Sequence, residues 1–270
     1  MRAIGRGKAL LYALSALVVG AISYLLGVRS GLGQLAEDSM LDASDFTFDP
    51  PAPLSLVNTV TLAVALLIIG LIAWTYRGIP RALWILLFSG VALFSSQFLK
   101  QQWLERPSFD ELAEFAADNT FPSGHMTVFT VVVAGLIWAL PAASRGIVAL
   151  LGAVLLGTVS WQLLAYGWHR PSDVLGAIAL GVFAFGLASA LHPPYGGRAA
   201  RSVAPGAHAL NRVLGVTLAI AGWVLVVVGL LMIAAAGIVR ADALLLGGSE
   251  VAMVGASSLA ARALMRLSEW

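Results

Sequence analysis

Apolar runs about as long as a bilayer is thick recur along this chain, at 9–28, 51–76, 82–99, 126–144, 146–168, 174–191 and 213–239. A helix crossing the hydrocarbon core needs about 20 mostly apolar residues. Lipid offers no partner to an unpaired backbone amide, so each run must satisfy its own hydrogen bonds as a helix. An eighth run, 243–261, is interrupted only by Glu250 and is rich in Gly, Ala and Ser, which let helices approach closely in lipid. Composition agrees: 59% of the 270 residues are hydrophobic and 11% charged, with a mean hydropathy of +0.89, a balance that excludes an ordinary water-soluble domain. The expected fold is therefore all-α, a polytopic membrane bundle of eight spans. The first apolar stretch exceeds the roughly 7–15 residues of a signal peptide's core and reads as a retained helix. Glu250 is costly in lipid unless paired, and reads as a packing residue against a neighbouring helix.

Loop charge sets the expected direction. With the N-terminus inside, eight spans put Arg2, Arg6, Lys8, Arg77, Arg81, Arg145, Arg198, Arg201, Arg212, Arg262 and Arg266 on the cytoplasmic side, eleven basic residues against five outside. The outer five are Arg29, Lys100, Arg106, Arg170 and Arg240. Acidic residues gather outside too, from Glu37 to Asp49 and from Glu105 to Asp118. The expectation is a multi-pass protein of the cell membrane with both termini cytoplasmic. There is no cysteine, hence neither disulfide nor thiolate chemistry.

The first outer loop, about 29–50, is acidic and ends in Asp-Pro-Pro-Ala-Pro, read as a breaker. In the next outer segment, 100–124, Phe109, Leu112, Phe115 and Ala116 would form one face of a short helix on the membrane surface. The inner stretch 193–211 combines Pro, Gly and Arg. It divides the chain into a six-span core, 1–192, a cytoplasmic linker, 193–211, and a C-terminal helical pair with a short tail, 212–270.

Three polar stretches stand at the ends of these spans: Leu-Lys-Gln-Gln-Trp-Leu-Glu-Arg-Pro-Ser at 99–108, Phe-Pro-Ser-Gly-His-Met at 121–126 and Trp-His-Arg-Pro-Ser-Asp at 168–173. By parity of crossings all three lie on the outer face. Lys100 and Arg106 offer fixed positive charge and a planar donor fork suited to phosphate oxygens. His125 and His169 are the natural acid and base near neutral pH. His169 and Asp173 are four apart, on one helix face, where the carboxylate can fix one imidazole tautomer. Pro122 and Pro171 suit the first turn of a helix, so two spans would begin here with unpaired amides aimed at an anion. Ser123 and Gly124 allow close approach of backbone to phosphate. The competing structural readings are helix capping for Asp173 and headgroup anchoring for Lys100 and Arg106. A metal held by His125, His169 and Asp173 would leave Lys100 and Arg106 unexplained, since both repel a cation. His192 and His208 fall on the inner side and take no part.

The pattern resembles the type 2 phosphatidic acid phosphatase family of integral-membrane lipid phosphatases: a Lys followed by Arg-Pro, then Pro-Ser-Gly-His, then a His with an Asp four residues later. The resemblance covers roughly spans three to six. It implies a phosphohistidine mechanism with His169 as nucleophile, Asp173 as its orienting partner and His125 as the acid for the leaving group. Lys100, Arg106, Ser123 and Gly124 would hold the phosphate, with no metal and no cofactor. Two positions depart from the family. Five residues separate Lys100 from Arg106 where six are usual, a rotation of about 100° on a helix. The family's Ser-Arg ahead of the nucleophile is replaced by Gln162 and Leu163. Arg170 is the expected substitute for the missing arginine.

The expected activity is hydrolysis of a lipid phosphate at the outer leaflet, on a polyprenyl diphosphate, phosphatidic acid or phosphatidylglycerol phosphate. Partners are that substrate and the membrane lipids, with no nucleic acid. Two alternatives stay open: a lipid phosphotransferase with the same residues, or a non-catalytic lipid-phosphate binder or transporter.

Overall fold

The computed structural model describes residues 4–107, 109, 119–191 and 205–269. All regular structure among them is helical. Eight long helices carry the eight apolar runs: α1 (Arg6–Ser23), α3 (Thr59–Arg77), α4 (Ile79–Phe98), α5 (Gly124–Ala139), α6 (Arg145–Ala165), α7 (Pro171–Leu191), α8 (Pro205–Val239) and α9 (Asp242–Leu267). Seven of them, α1 and α4 counted with their end turns, are long and apolar enough to cross a membrane. The eighth, α5, has 16 residues, about 24 Å of rise. The Ile4 amide donates to the Glu269 carbonyl at 2.7 Å, so the described ends of the chain meet at one end of the bundle, as an even number of passages along it requires.

Local chemistry sets the helix ends. Asn58 and Thr61 form a reciprocal capping box at the start of α3, after the prolines and a short turn at Leu54–Leu56 use up the first part of the expected 51–76 run. Gly78, at φ +87°, reverses the chain between Arg77 and Pro80. Pro141 follows α5 closely and ends it short of the expected 144. α8 begins at Pro205, ahead of the expected 213. The surface helix expected on Phe109, Leu112, Phe115 and Ala116 falls largely on residues outside those described, as does most of the 193–211 linker.

The segment expected as the first outer loop is not a loop. It folds as α2 (Gly31–Asp42), capped by Ser30, whose Oγ accepts from the Gly33 amide at 3.0 Å. Its buried side is Gln34, Glu37 and Met40, spaced by three, while Leu32 and Leu35 are exposed. This is the reverse of a soluble amphipathic helix. α2 turns its polar residues toward the protein and leaves leucines for the surrounding medium.

Small residues bring α1 against α7. A Cβ on Gly27 would meet Ser172 Cβ at 2.5 Å, and one on Gly186 would meet Ala13 at 2.9 Å. This seam carries α2, which follows α1, over the first turn of α7. A second such crossing joins α8 to α9, where a Cβ on Gly229 would lie 2.5 Å from the Ala252 amide nitrogen. α9 also lies against α6 and α7, with Ser257 and Ser160 hydroxyls 2.9 Å apart. Glu250, on α9, is half-buried.

Candidate active site

Two helices open into the site and two close onto it. α5 starts at Gly124 with Ser123 as cap, its Oγ accepting from the Met126 amide at 3.2 Å. Pro122 therefore stands outside the helix and not in its first turn. Pro171 is the first residue of α7, as its fixed φ favours. The Ser123 amide donates to the Asp173 carbonyl at 3.0 Å, which ties the two helix starts together. By helix geometry the amides of Gly124 and His125 have no acceptor within α5. A Cβ at Gly124 would come to 3.0 Å from Gln97 Nε2, so a larger residue there would push that side chain of α4 aside.

α1 and α4 both end here in a widened turn, with Arg29 N–H donating to Tyr24 O at 3.0 Å and Leu104 N–H to Leu99 O at 2.8 Å, each five residues back. Lys100 lies in the second of these. The regular-helix rotation expected from its spacing to Arg106 does not apply, since the turn is not α-helical. Asn119 bonds the carbonyls of Lys100 and Leu104 at 3.1 and 2.7 Å and accepts from the Phe121 amide at 3.1 Å. That one side chain fastens the lysine segment to the Pro-Ser-Gly-His segment.

Asp173 is fully buried. Its Oδ2 accepts from Thr120 Oγ1 at 2.6 Å and from the Arg170 amide at 3.1 Å, and lies 3.2 Å from His169 Nδ1. It is thus both a helix cap and the partner of His169; the two readings of this residue are compatible. With Nδ1 tied to the carboxylate, Nε2 is the ring nitrogen left to react. The His169 amide donates to the Leu163 carbonyl at 3.0 Å. Leu163 itself is buried in the apolar core, so its position supplies backbone only. The His125 ring stands 6.1 Å from that of His169 and 5.4 Å from that of Trp168, edge-on to both. Lys100 lies within electrostatic reach of Asp173, and His125 within reach of Lys100 and His169.

The arginines meet α2. Arg106 Nη2 lies 3.4 Å from Glu37 Oε2, and Arg106 Nη1 is buried with no partner among the described residues. Glu37 also accepts from the Ser172 amide at 2.9 Å and the Ser172 hydroxyl at 3.1 Å, an anion seated on the first turn of α7. Burial, and then the Asp173 charge, hold the Glu37 carboxyl above the usual carboxylate range, against the Ser172 bonds and Arg106, which pull it down. Arg170 directs Nε and Nη2 to Asp38 Oδ1 at 3.3 and 3.0 Å. Every site residue expected from sequence stands at this end of the bundle. Glu37, Asp38, Asn119, Thr120 and Ser172 join them without having been singled out; of these, only the Ser172 that follows Pro171 stands within one of the three polar stretches.

Against protein families, residues 54–196, a little over half of the chain, match the PAP2 superfamily. The chain belongs to the PAP2 superfamily. The matched span runs from the turn before α3 to just beyond α7 and holds all three polar stretches, so a phosphatase-type activity in a membrane bundle follows from membership. The helices α1, α2, α8 and α9 lie outside it. No curated protein and no solved structure matched the chain.

Proposed function

We propose that this PAP2 protein is a lipid-phosphate phosphatase working through a phosphohistidine on His169. The observation that carries the reading is the 3.2 Å tie between His169 Nδ1 and the buried Asp173 carboxylate, which leaves Nε2 as the ring nitrogen free to react. Nε2 attacks phosphorus, and the bond to the leaving oxygen breaks as His125 gives that oxygen a proton. Water then attacks the phosphohistidine, its proton passing to His125, and phosphate leaves with His169 restored. Lys100, Arg106 and the free amides of Gly124 and His125 meet the charge that builds on the equatorial oxygens, with Ser123 capping the helix that presents them. Arg170 is the third cation of the set, engaged by Asp38 until substrate enters.

The substrate class is a lipid monophosphate or diphosphate, because the site opens at the end of membrane helices, where a headgroup would lie. The uneven loop charge supports a site at the extracytoplasmic face of the cell membrane, with both termini inside. There a polyprenyl diphosphate carrier is the favoured substrate over phosphatidic acid and phosphatidylglycerol phosphate. Residues 1–192 form the catalytic core and 212–270 a supporting pair. Release of inorganic phosphate by the purified full chain from short-chain versions of the three lipids tests the activity and ranks them. No release from any would leave a phosphate-lipid binder.

A further inference from the structure

Glu37, buried on α2, touches two parts of the His169 end at once. Its Oε1 accepts from the Ser172 amide at 2.9 Å. Its Oε2 accepts from the Ser172 hydroxyl at 3.1 Å and from Arg106 Nη2 at 3.4 Å, so both oxygens are in use. Ser172 lies in the first turn of α7 and precedes Asp173, whose Oδ2 meets His169 Nδ1. The Ser172 carbonyl accepts in turn from Ser23 Oγ of α1 at 3.0 Å. One carboxyl therefore joins Arg106 to the helix turn that orients His169.

The segment that carries Arg106 is held from the same side. The Tyr24 hydroxyl donates to the Glu105 carbonyl at 2.7 Å. Gln34 Nε2, three residues before Glu37 on the buried side of α2, donates to the Pro107 carbonyl at 2.7 Å. Three consecutive residues, 105 to 107, are thus each bonded from the chain between 24 and 37. Gly27 makes room for the seat, since a Cβ there would meet Glu37 Oε1 at 2.9 Å. An arginine that only anchors to headgroups spreads its donors into water, whereas the Arg106 side chain is 2% exposed. Asp38, the next residue, is 41% exposed, and its contact with Arg170 is correspondingly open to solvent. Of the two carboxylates, Glu37 is the one built in.

We propose that Glu37 is a positioning residue for the phosphatase reaction, holding the Arg106 guanidinium in register with the first turn of α7 and hence with His169. The inference rests on the reading of His169 as nucleophile and Arg106 as phosphate ligand. It extends the working site to α2, outside the matched residues 54–196. Register matters most at the transition state, where a donor misplaced by about 1 Å can cost on the order of 100-fold in rate. Glutamine at 37 would keep the shape and turn one acceptor end into a donor, so that it loses either the Ser172 amide or Arg106.

The test measures kcat on a short-chain lipid phosphate, with inorganic phosphate as inhibitor, for the full chain in neutral detergent. Four proteins are compared: unmodified, Glu37→Gln, Arg106→Gln and the double variant. Glu37→Gln should lower kcat about tenfold or more, while inorganic phosphate inhibits at a lower concentration because a negative charge beside Arg106 is gone. A smaller folded fraction would lower kcat and leave the inhibiting concentration unchanged. Because Glu37 acts through Arg106, the double variant should be no slower than Arg106→Gln alone. If Glu37→Gln does not fold, Glu37→Asp, too short to reach both partners, replaces it and is judged on kcat and the double variant; Arg106→Lys replaces an unfolded Arg106→Gln. An unchanged kcat in Glu37→Gln overturns the role, as do losses that multiply in the double variant or a fall in kcat without tighter inhibition. Absence of turnover in the unmodified chain, or full activity in Arg106→Gln, overturns the underlying reading of the site and this role with it.

Discussion

Glu37 and Arg106 are 69 residues apart in sequence and meet at 3.4 Å beneath α2, both of them buried. The pair sets a charge opposite the guanidinium that a phosphate would take, and does so from the first turn of α7. Truncating one partner of a buried pair leaves the other uncompensated. Glu37→Gln should therefore leave Arg106 open to an anion, and saturating phosphate should raise the melting temperature more than it does in the unmodified chain. Differential scanning of both proteins with and without phosphate reads this. An equal phosphate shift in the two would remove the pair from the site.

The same carboxyl carries a pH dependence. Its pKa in the folded protein lies above the ordinary value of 4.5, so the folded state takes up the proton more readily than the unfolded one. Its contribution to stability is fully present below about 4.5 and is lost as pH rises through the elevated folded value. Stability of the unmodified chain minus that of Glu37→Gln should fall across that window and then level off. A difference that rises with pH instead would mean that Glu37 is held as a stabilised carboxylate.

Asp173→Asn keeps the shape but removes the charge that fixes the His169 tautomer. Turnover should fall on the order of 10³-fold, while KM changes far less because the phosphate ligands remain. Steady-state kinetics on a short-chain lipid phosphate separates the two constants. A loss confined to KM would make Asp173 a cap and nothing more.

Arg170→Ala should reduce kcat/KM by a factor comparable to Arg106→Ala, and Arg170→Lys should restore little, since a point charge lacks the planar fork. Asp38→Asn tests the contact that holds it: release of Arg170 should lower KM. Near-full activity in Arg170→Ala would mean the site works with Lys100 and Arg106 alone.

Single cysteines in this cysteine-free chain report sidedness. An impermeant thiol reagent on intact cells should label position 105 and leave position 80 unlabelled, following the eleven-to-five division of basic residues. The opposite pattern inverts the topology.

Much of this was legible in the residues and some was not, for physical reasons. Apolar runs of helical length have one outcome in lipid, so eight helices could be read directly, and parity brought Lys100, His125 and His169 to one end. α2 escaped because the acidic composition of 29–50 reads as a loop. Its inward face is Gln34, Glu37 and Met40, and Leu32 and Leu35 are exposed. Pro122 resembled a helix start, but the Ser123 hydroxyl made the better cap. Thr120 and Asn119 precede the Pro-Ser-Gly-His stretch as ordinary loop polars. Only the fold discloses that one binds Asp173 and the other joins two segments.

The central claim is the phosphoryl group on His169, and chemical trapping tests it most directly. Purified protein is mixed with a lipid phosphate radiolabelled at phosphorus and quenched within a turnover in alkali, which preserves phosphohistidine. The label should be protein-bound, stable to base and lost in acid, and peptide mapping should place it on His169. It should be absent from His169→Ala and accumulate or form slowly in His125→Ala, where turnover drops by about 10²- to 10⁴-fold. A fully active His169→Ala, or label on any other residue, would contradict the mechanism.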